Sequence, residues 1–187
     1  MSLKHAILGF LSYTPLSGYD LKKSFDRSVQ HFWPADQSQI YRTMAQLEAE
    51  GLVTKEVINR EDRLDVKIYQ LTPEGAAELR HWLTTPLPDE VAREPFLIQV
   101  FFAGKVGDEQ IAAVLEAERR QVEARLAEYE GMYAEWLERF PRLENQREVF
   151  YTLLTLEYGL KSNRVFLSWL EGALESIRQA DYQPKEL

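Results

Sequence analysis

Apolar residues recur at helical spacing through most of this chain, and the pattern turns extended only between residues 53 and 71. Just before that change, Ile40, Met44 and Leu47 line one face of a predicted helix that opens at Asp36 and stops at Gly51. Asp36 with Gln39 three residues on is a capping-box start, in which each side chain satisfies the other's unpaired backbone N–H. Gly51 supplies a left-handed stop. The apolar face leaves Ser38, Arg42, Ala45, Gln46 and Ala49 pointing away. That outer face is small and polar, with one arginine, and it fits a DNA major groove without obstruction. Residues 53–59 and 66–71 are β-rich runs around the charged tip Arg60-Glu61-Asp62-Arg63, which predicts a hairpin. A helix followed by a hairpin is the second half of a winged helix-turn-helix.

The first half lies upstream. Leu3, Ile7, Leu8 and Leu11 share a face of a helix ending before Tyr13-Thr14-Pro15. Ser17 is the predicted N-cap of a second helix, with Leu21 and Phe25 inward and Lys22, Lys23 and Arg27 outward. Phe32-Trp33-Pro34 makes an apolar corner leading to Asp36. Downstream, Thr72-Pro73 predicts an N-cap with proline at the first position of a fourth helix through Ala76, Leu79 and Leu83. The proline-rich connector Thr84-Thr85-Pro86-Leu87-Pro88 marks the expected boundary between a module at 1–88 and another at 89–187.

Beyond it every segment reads as helical. Phe96, Leu97, Val100 and Phe101 predict a short apolar helix ending near Gly104. Ile111, Leu115, Val122, Leu126, Tyr129, Tyr133, Trp136 and Phe140 follow steps of three, four and seven up to Pro141. Asn145 with Glu148 predicts a second capping box. After it Leu153, Leu156, Leu160, Asn163, Leu167, Leu170 and Leu174 alternate steps of three and four, a coiled-coil-like seam with one polar position. Two such helices are expected to pair with each other and with a second copy, which makes these seven residues the predicted dimerisation surface. The fold class expected is mainly α: an N-terminal winged helix-turn-helix plus an all-helical C-terminal dimerisation domain.

Composition narrows the function. With 187 residues, 45% hydrophobic and 28% charged, the chain is an ordinary globular one. The absence of cysteine excludes disulfides, thiolate metal sites and cysteine nucleophiles. His5, His31 and His81 have no ligand spacing, so no metal and no cofactor is expected. The apolar run 6–11 is too short for a signal-peptide core, and no window approaches the ~18 apolar residues of a membrane span. A soluble cytoplasmic protein without membrane association is expected. No glycine-rich phosphate loop, nucleophile elbow or H-E-x-x-H occurs, which argues against an enzyme. Net charge is −8, but residues 1–85 hold ten basic against eleven acidic residues, so the acidity sits in the second half. A DNA face must then come from local arrangement rather than overall field.

The candidate DNA contacts follow from the outward faces. Arg42 is placed to meet a base or phosphate; its alternative is a solvated surface arginine. Ser38, Gln39 and Gln46 are placed to read base edges or steady the backbone, although capping competes for Gln39. Lys22, Lys23 and Arg27 on the second helix, and Arg60, Arg63 and Lys67 in the wing, are candidate phosphate grips or solvated charges. For a small-molecule effector the candidates are Tyr129, Tyr133, Trp136, Tyr151, Tyr158 and Trp169, against the plainer reading of core or interface aromatics.

Particular residues also resemble a family. His5-Ala6-Ile7-Leu8-Gly9, Gly18-Tyr19-Asp20-Leu21, Phe32-Trp33-Pro34, Ile40-Tyr41-Arg42, Leu47-Glu48, Glu50-Gly51-Leu52-Val53, Tyr69-Gln70-Leu71-Thr72 with Gly75, and Trp169-Leu170 are similar to the PadR family of bacterial transcriptional regulators. The resemblance is to its longer, AphA-like branch with an all-helical C-terminal domain. It implies a dimeric winged-helix protein binding pseudo-palindromic operators in double-stranded DNA, usually as a repressor and often released by a small molecule. It also implies that the Tyr41 hydroxyl meets a phosphate. The mixed-sign wing departs from strong minor-groove insertion. Two other readings remain: a dimeric interaction or ligand-binding protein with a degenerate winged helix, and a partner-dependent activator.

Overall fold

A computed structural model describes residues 2–30, 32–60, 63–88, 93–140 and 144–183, with backbone alone at 59, 60, 63 and 64. His31, Glu61, Asp62 and Pro141 lie outside the described residues. The chain divides into two compact units, Met1–Glu90 and Val91–Leu187.

In the first unit α1 (Ser2–Tyr13) is followed by a two-residue strand β1 (Leu16–Ser17), then α2 (Gly18–Arg27), α3 (Gln37–Ala49), β2 (Val53–Arg60), β3 (Arg63–Leu71) and α4 (Pro73–Thr84). β2 and β3 form the expected hairpin, in register from Val53 opposite Leu71 to Val57 opposite Lys67. β1 adds a third antiparallel strand on the far side of β3, with Leu16 opposite Tyr69. It ties the start of α2 to the wing. Ile7, Leu8, Leu21, Ile40, Met44 and Leu47 are fully buried together with Phe25 and Val53, so all three helices of the helix-turn-helix share one core. Leu83, expected inward, is instead exposed on α4.

One corner joins α3, the wing and α4. Gly51 takes the left-handed conformation (φ +71°) that ends α3. The Thr72 hydroxyl donates to Gly51 O (2.9 Å) and accepts from Gly75 N–H (3.0 Å), while Thr72 N–H donates to Leu52 O. A Cβ on Gly75 would stand 2.1 Å from Leu52 O, a backbone atom that cannot swing aside. Gly75→Ala is therefore expected to destabilise this unit by about 1–3 kcal/mol through overpacking. Thermal unfolding checks it: an unchanged midpoint would contradict this close approach.

The second unit holds α5 (Pro95–Phe101), a 3-10 turn (Ala103–Lys105), α6 (Asp108–Arg139) and α7 (Gln146–Arg178). α6 and α7 lie antiparallel: Glu116 meets Arg178, and Glu130 meets Arg164, each at 2.8 Å. Asn145 accepts from Glu148 N–H (3.4 Å), the one half of the predicted second capping box that forms. At the start of α6, Gly107 N–H is held by the Gln110 side chain (3.1 Å).

Much of the predicted seam packs within the chain, as pairing of the two long helices requires. Leu156, Leu160, Leu170 and Leu174 are buried against Ile111, Leu115, Val122 and Leu126 of α6 in the same chain, and Leu167 packs on that core. Leu153 is buried too. Asn163, the polar position, accepts from Arg125 of α6 (3.0 Å) and donates to Gly159 O. The physical reason is that a heptad-like seam needs one apolar partner, and α6 of the same chain supplies it. Left exposed are Tyr158, Leu154 and Val165 on α7, and Ile98 and Phe101 on α5. Among the described residues no helix is long and apolar enough to cross a membrane.

Candidate nucleic-acid interface

The reading helix α3 is secured at its N-terminus by the predicted capping box. Asp36 Oδ1 accepts from Gln39 N–H (2.8 Å), and Gln39 Oε1 accepts from Asp36 N–H (3.0 Å). The side-chain oxygen of Gln39 is thereby committed to holding the helix. Ser38, Arg42, Ala45, Gln46 and Ala49 are all exposed, as the helical wheel required. Gln46 donates to Glu50 (2.7 Å) one turn on, which occupies its amide nitrogen in this chain alone. Among the described residues the side chains of Ser38 and Arg42 make no hydrogen bond or ion pair. A guanidinium at the centre of an open face, with its five donors uncommitted, is equipped to grip a guanine edge or a phosphate.

Around α3 the candidate cations divide. Lys22 is paired with Asp26 one turn along α2, so its charge is already partly answered. Lys23 and Arg27 are exposed. In the wing, Lys67 is exposed on β3 beside Asp65, while Arg60 and Arg63 pair by backbone at the hairpin end. A cleft of about 510 Å³ runs between the start of α2, Tyr41 and β3, lined by Ser17, Gly18, Tyr19, Asp20, Tyr41 and Asp65–Lys67. Asp20 is held at its edge, its carboxylate accepting from the Ser17 hydroxyl (2.6 Å).

The C-terminal end of α3 is anchored by a network that no sequence pattern pointed to. Lys4 of α1 pairs with Glu50 (3.0 Å) and with Glu78 of α4 (3.3 Å). Glu78 also meets His5 Nε2 (3.2 Å), whose buried ring stacks on Trp82 at 4.5 Å between centroids. Facing a carboxylate, Nε2 is the donor, which leaves the buried Nδ1 as an acceptor without a partner. The Gln46 amide, then Lys4, holds the Glu50 carboxyl below its ordinary value; His5, then Lys4, does the same for Glu78. Depressed carboxylates stabilise the folded unit above their unfolded value, and this contribution is lost as pH falls through the folded one. Acid titration of thermal stability should therefore show a loss below about pH 4. Glu78→Gln is expected to shrink that loss; an identical acid profile would contradict the network. Both carboxylates are about a third exposed, so the effect is modest.

The six candidate effector aromatics do not converge. Tyr129 is buried in the α6–α7 core, where burial pushes its hydroxyl pKa up, and Tyr133 and Trp136 pack on the same core. Trp169 stacks on Phe166 beside Phe96. Tyr151 lies under Arg147, and Tyr158 is 75% exposed. A shallow recess of about 140 Å³ at one end of the hairpin includes Tyr133 alone of the six.

Comparison with known proteins bears on both units. The model of the "Transcriptional regulator PadR-like family" matches residues 7–81, and "Virulence activator alpha C-term" matches residues 92–178. The chain is 30% identical over 177 residues, 94% of its own length and 97% of the relative's, to the negative transcriptional regulator PadR of Bacillus subtilis. The crystal structure of that protein in complex with operator DNA superposes with a TM-score of 0.83 at 29% identity, covering 95% of this chain and 99% of that one. Its complex with p-coumaric acid gives 0.78 at 29% identity, covering 94% and 95%. The Vibrio cholerae virulence activator AphA, at 24% identity, shares the fold, with a TM-score of 0.76 over 95% of this chain and 99% of that one. With a helix-turn-helix and wing in one half and a long helical hairpin in the other, each matched by its own family model, the chain belongs to the PadR-like family of transcriptional regulators.

Proposed function

We propose that this transcriptional regulator binds a pseudo-palindromic operator in double-stranded DNA as a homodimer and acts as a repressor. The observation that carries this reading is α3: capped, packed on its inner face, and open on its outer face around an unpartnered Arg42. Ser38 and Arg42 meet base edges, with Tyr41 and the cations Lys23, Arg27 and Lys67 on phosphates. Residues 1–88 are the DNA-binding domain and 89–187 the dimerisation and effector domain. Because the leucine seam is spent on α6, the second copy docks instead on exposed apolar residues such as Ile98, Phe101 and Val165. Two reading helices then enter successive major grooves about 34–36 Å apart. A small aromatic acid, of the kind seen bound to the Bacillus subtilis relative, releases the DNA by altering that spacing. The protein works in the cytoplasm and catalyses no reaction.

The test is selection of bound DNA from a random pool at low salt, followed by affinity at rising salt. An enriched inverted repeat whose binding weakens steeply with salt is expected. Failure to enrich any sequence would favour the reading in which the acidic protein, net −8, is an interaction module with a degenerate winged helix. Enrichment only with a partner present would mark a partner-dependent activator.

A further inference from the structure

We infer that Gly18 is a positioning residue for the DNA contact of Tyr41, its missing side chain forming the seat in which the tyrosine ring lies. A Cβ built on Gly18 would stand 2.5 Å from Tyr41 Cε1, 2.6 Å from Cζ and 2.8 Å from the hydroxyl oxygen. The hydroxyl-bearing edge of the ring thus rests on the first residue of α2. Nothing else asks for glycine here. Gly18 lacks the positive φ that Gly51 adopts. As the first residue of a helix it lowers helix propensity relative to alanine. Core filling is not the reason either, because Tyr41 is 42% exposed while Gly18 is buried. What the glycine provides is room for that ring to lie directly against the backbone at the start of α2.

Tyr41 lines the cleft shared with Lys67 and Asp65 of β3, next to the start of α2. Ser17 caps that start by accepting from Asp20 N–H (3.1 Å), and its own hydroxyl occupies the Asp20 carboxylate. A phosphate entering beside the reading helix meets the Tyr41 hydroxyl and Lys67 together. With the ring seated against the α2 backbone beforehand, less side-chain freedom is lost when the DNA arrives. The inference rests on the proposed operator binding and adds the residue that seats one contact.

The experiment measures affinity for the selected operator and for unrelated duplex at low salt, with thermal unfolding alongside. The variants are Gly18→Ala, Tyr41→Phe, Tyr41→Ala and the double variant Gly18→Ala/Tyr41→Ala. Gly18→Ala is expected to weaken both DNAs by on the order of tenfold, equally, because a phosphate contact carries no sequence information. Tyr41→Phe keeps the ring and should also weaken both. In the Tyr41→Ala background Gly18→Ala should add nothing, since the ring it would displace is gone. Multiplying losses, or Gly18→Ala or Tyr41→Phe binding like wild type, would overturn the inference while leaving operator binding intact. Should Gly18→Ala alone fail to fold, the double variant must fold and bind like Tyr41→Ala; its failing to fold as well overturns the inference. Absence of any binding by the wild type would sink the operator reading itself, and this one with it.

Discussion

Leu170→Ala is expected to destabilise the helical unit by about 2–5 kcal/mol, the range for emptying a leucine site in a close-packed core. Leu170 is 0% exposed and sits between α6 and α7 of one chain. The loss should be the same at every protein concentration, because the packing removed is intramolecular. A seam shared between copies would behave otherwise, with the deficit shrinking as concentration rises and mass action restores the dimer. The control is Val165→Ala on the same helix, where Val165 is 72% exposed. Placed at the proposed contact between copies, Val165 should show the opposite pattern, any deficit shrinking as concentration rises. Unfolding followed by circular dichroism over a hundredfold concentration range separates the two cases. A concentration-dependent Leu170 deficit would return that residue to the interface between copies.

Arg42→Ala is expected to cost about 1–3 kcal/mol of operator affinity, roughly 5- to 150-fold, if the guanidinium reads a guanine edge. The stability of the protein should not change, since Arg42 makes no hydrogen bond or ion pair among the described residues. The pattern across sequences assigns the role. If Arg42 reads a base, its removal weakens the operator alone and leaves non-specific affinity untouched. If it grips a phosphate, its removal weakens all DNA alike and lowers the salt slope by about one ion. Binding measured on operator and scrambled duplex at several salt concentrations decides it. Unaltered affinity on both would remove Arg42 from the interface.

How far the sequence carried depends on the range of each signal. The Asp36–Gln39 cap, Gly51, the Thr72-Pro73 start and the hairpin were all legible because each is set within a few residues. Burial of the leucine seam was legible as well, since periodicity reports which face is apolar. Pairing of the two long helices was expected too, but not which seam positions it takes, for periodicity does not say whose helix covers each one. Asn163 shows this: its position predicted a polar inset, but Arg125, thirty-eight residues away, answers it. β1 escaped because two residues are too few for an alternating pattern. The Gly18–Tyr41 contact and the Lys4–Glu50–Glu78–His5 network join elements distant in the chain, and no local spacing announces them. His5, noted in the family motif and dismissed as a metal ligand, is a buried ring stacked on Trp82.

The split of α3 into a packed inner face and an idle outer face has an evolutionary consequence. Ile40, Met44 and Leu47 carry the folding load, whereas Ser38, Arg42, Ala45 and Ala49 carry none of it. Substitutions at those four positions are close to neutral for stability, so drift can explore them without passing through unfolded intermediates. After gene duplication, a copy of this chain can acquire a new operator by a handful of changes on one helix while its core stays untouched. Diversification of targets within such a lineage is then limited by the supply of matching DNA sites rather than by the tolerance of the protein.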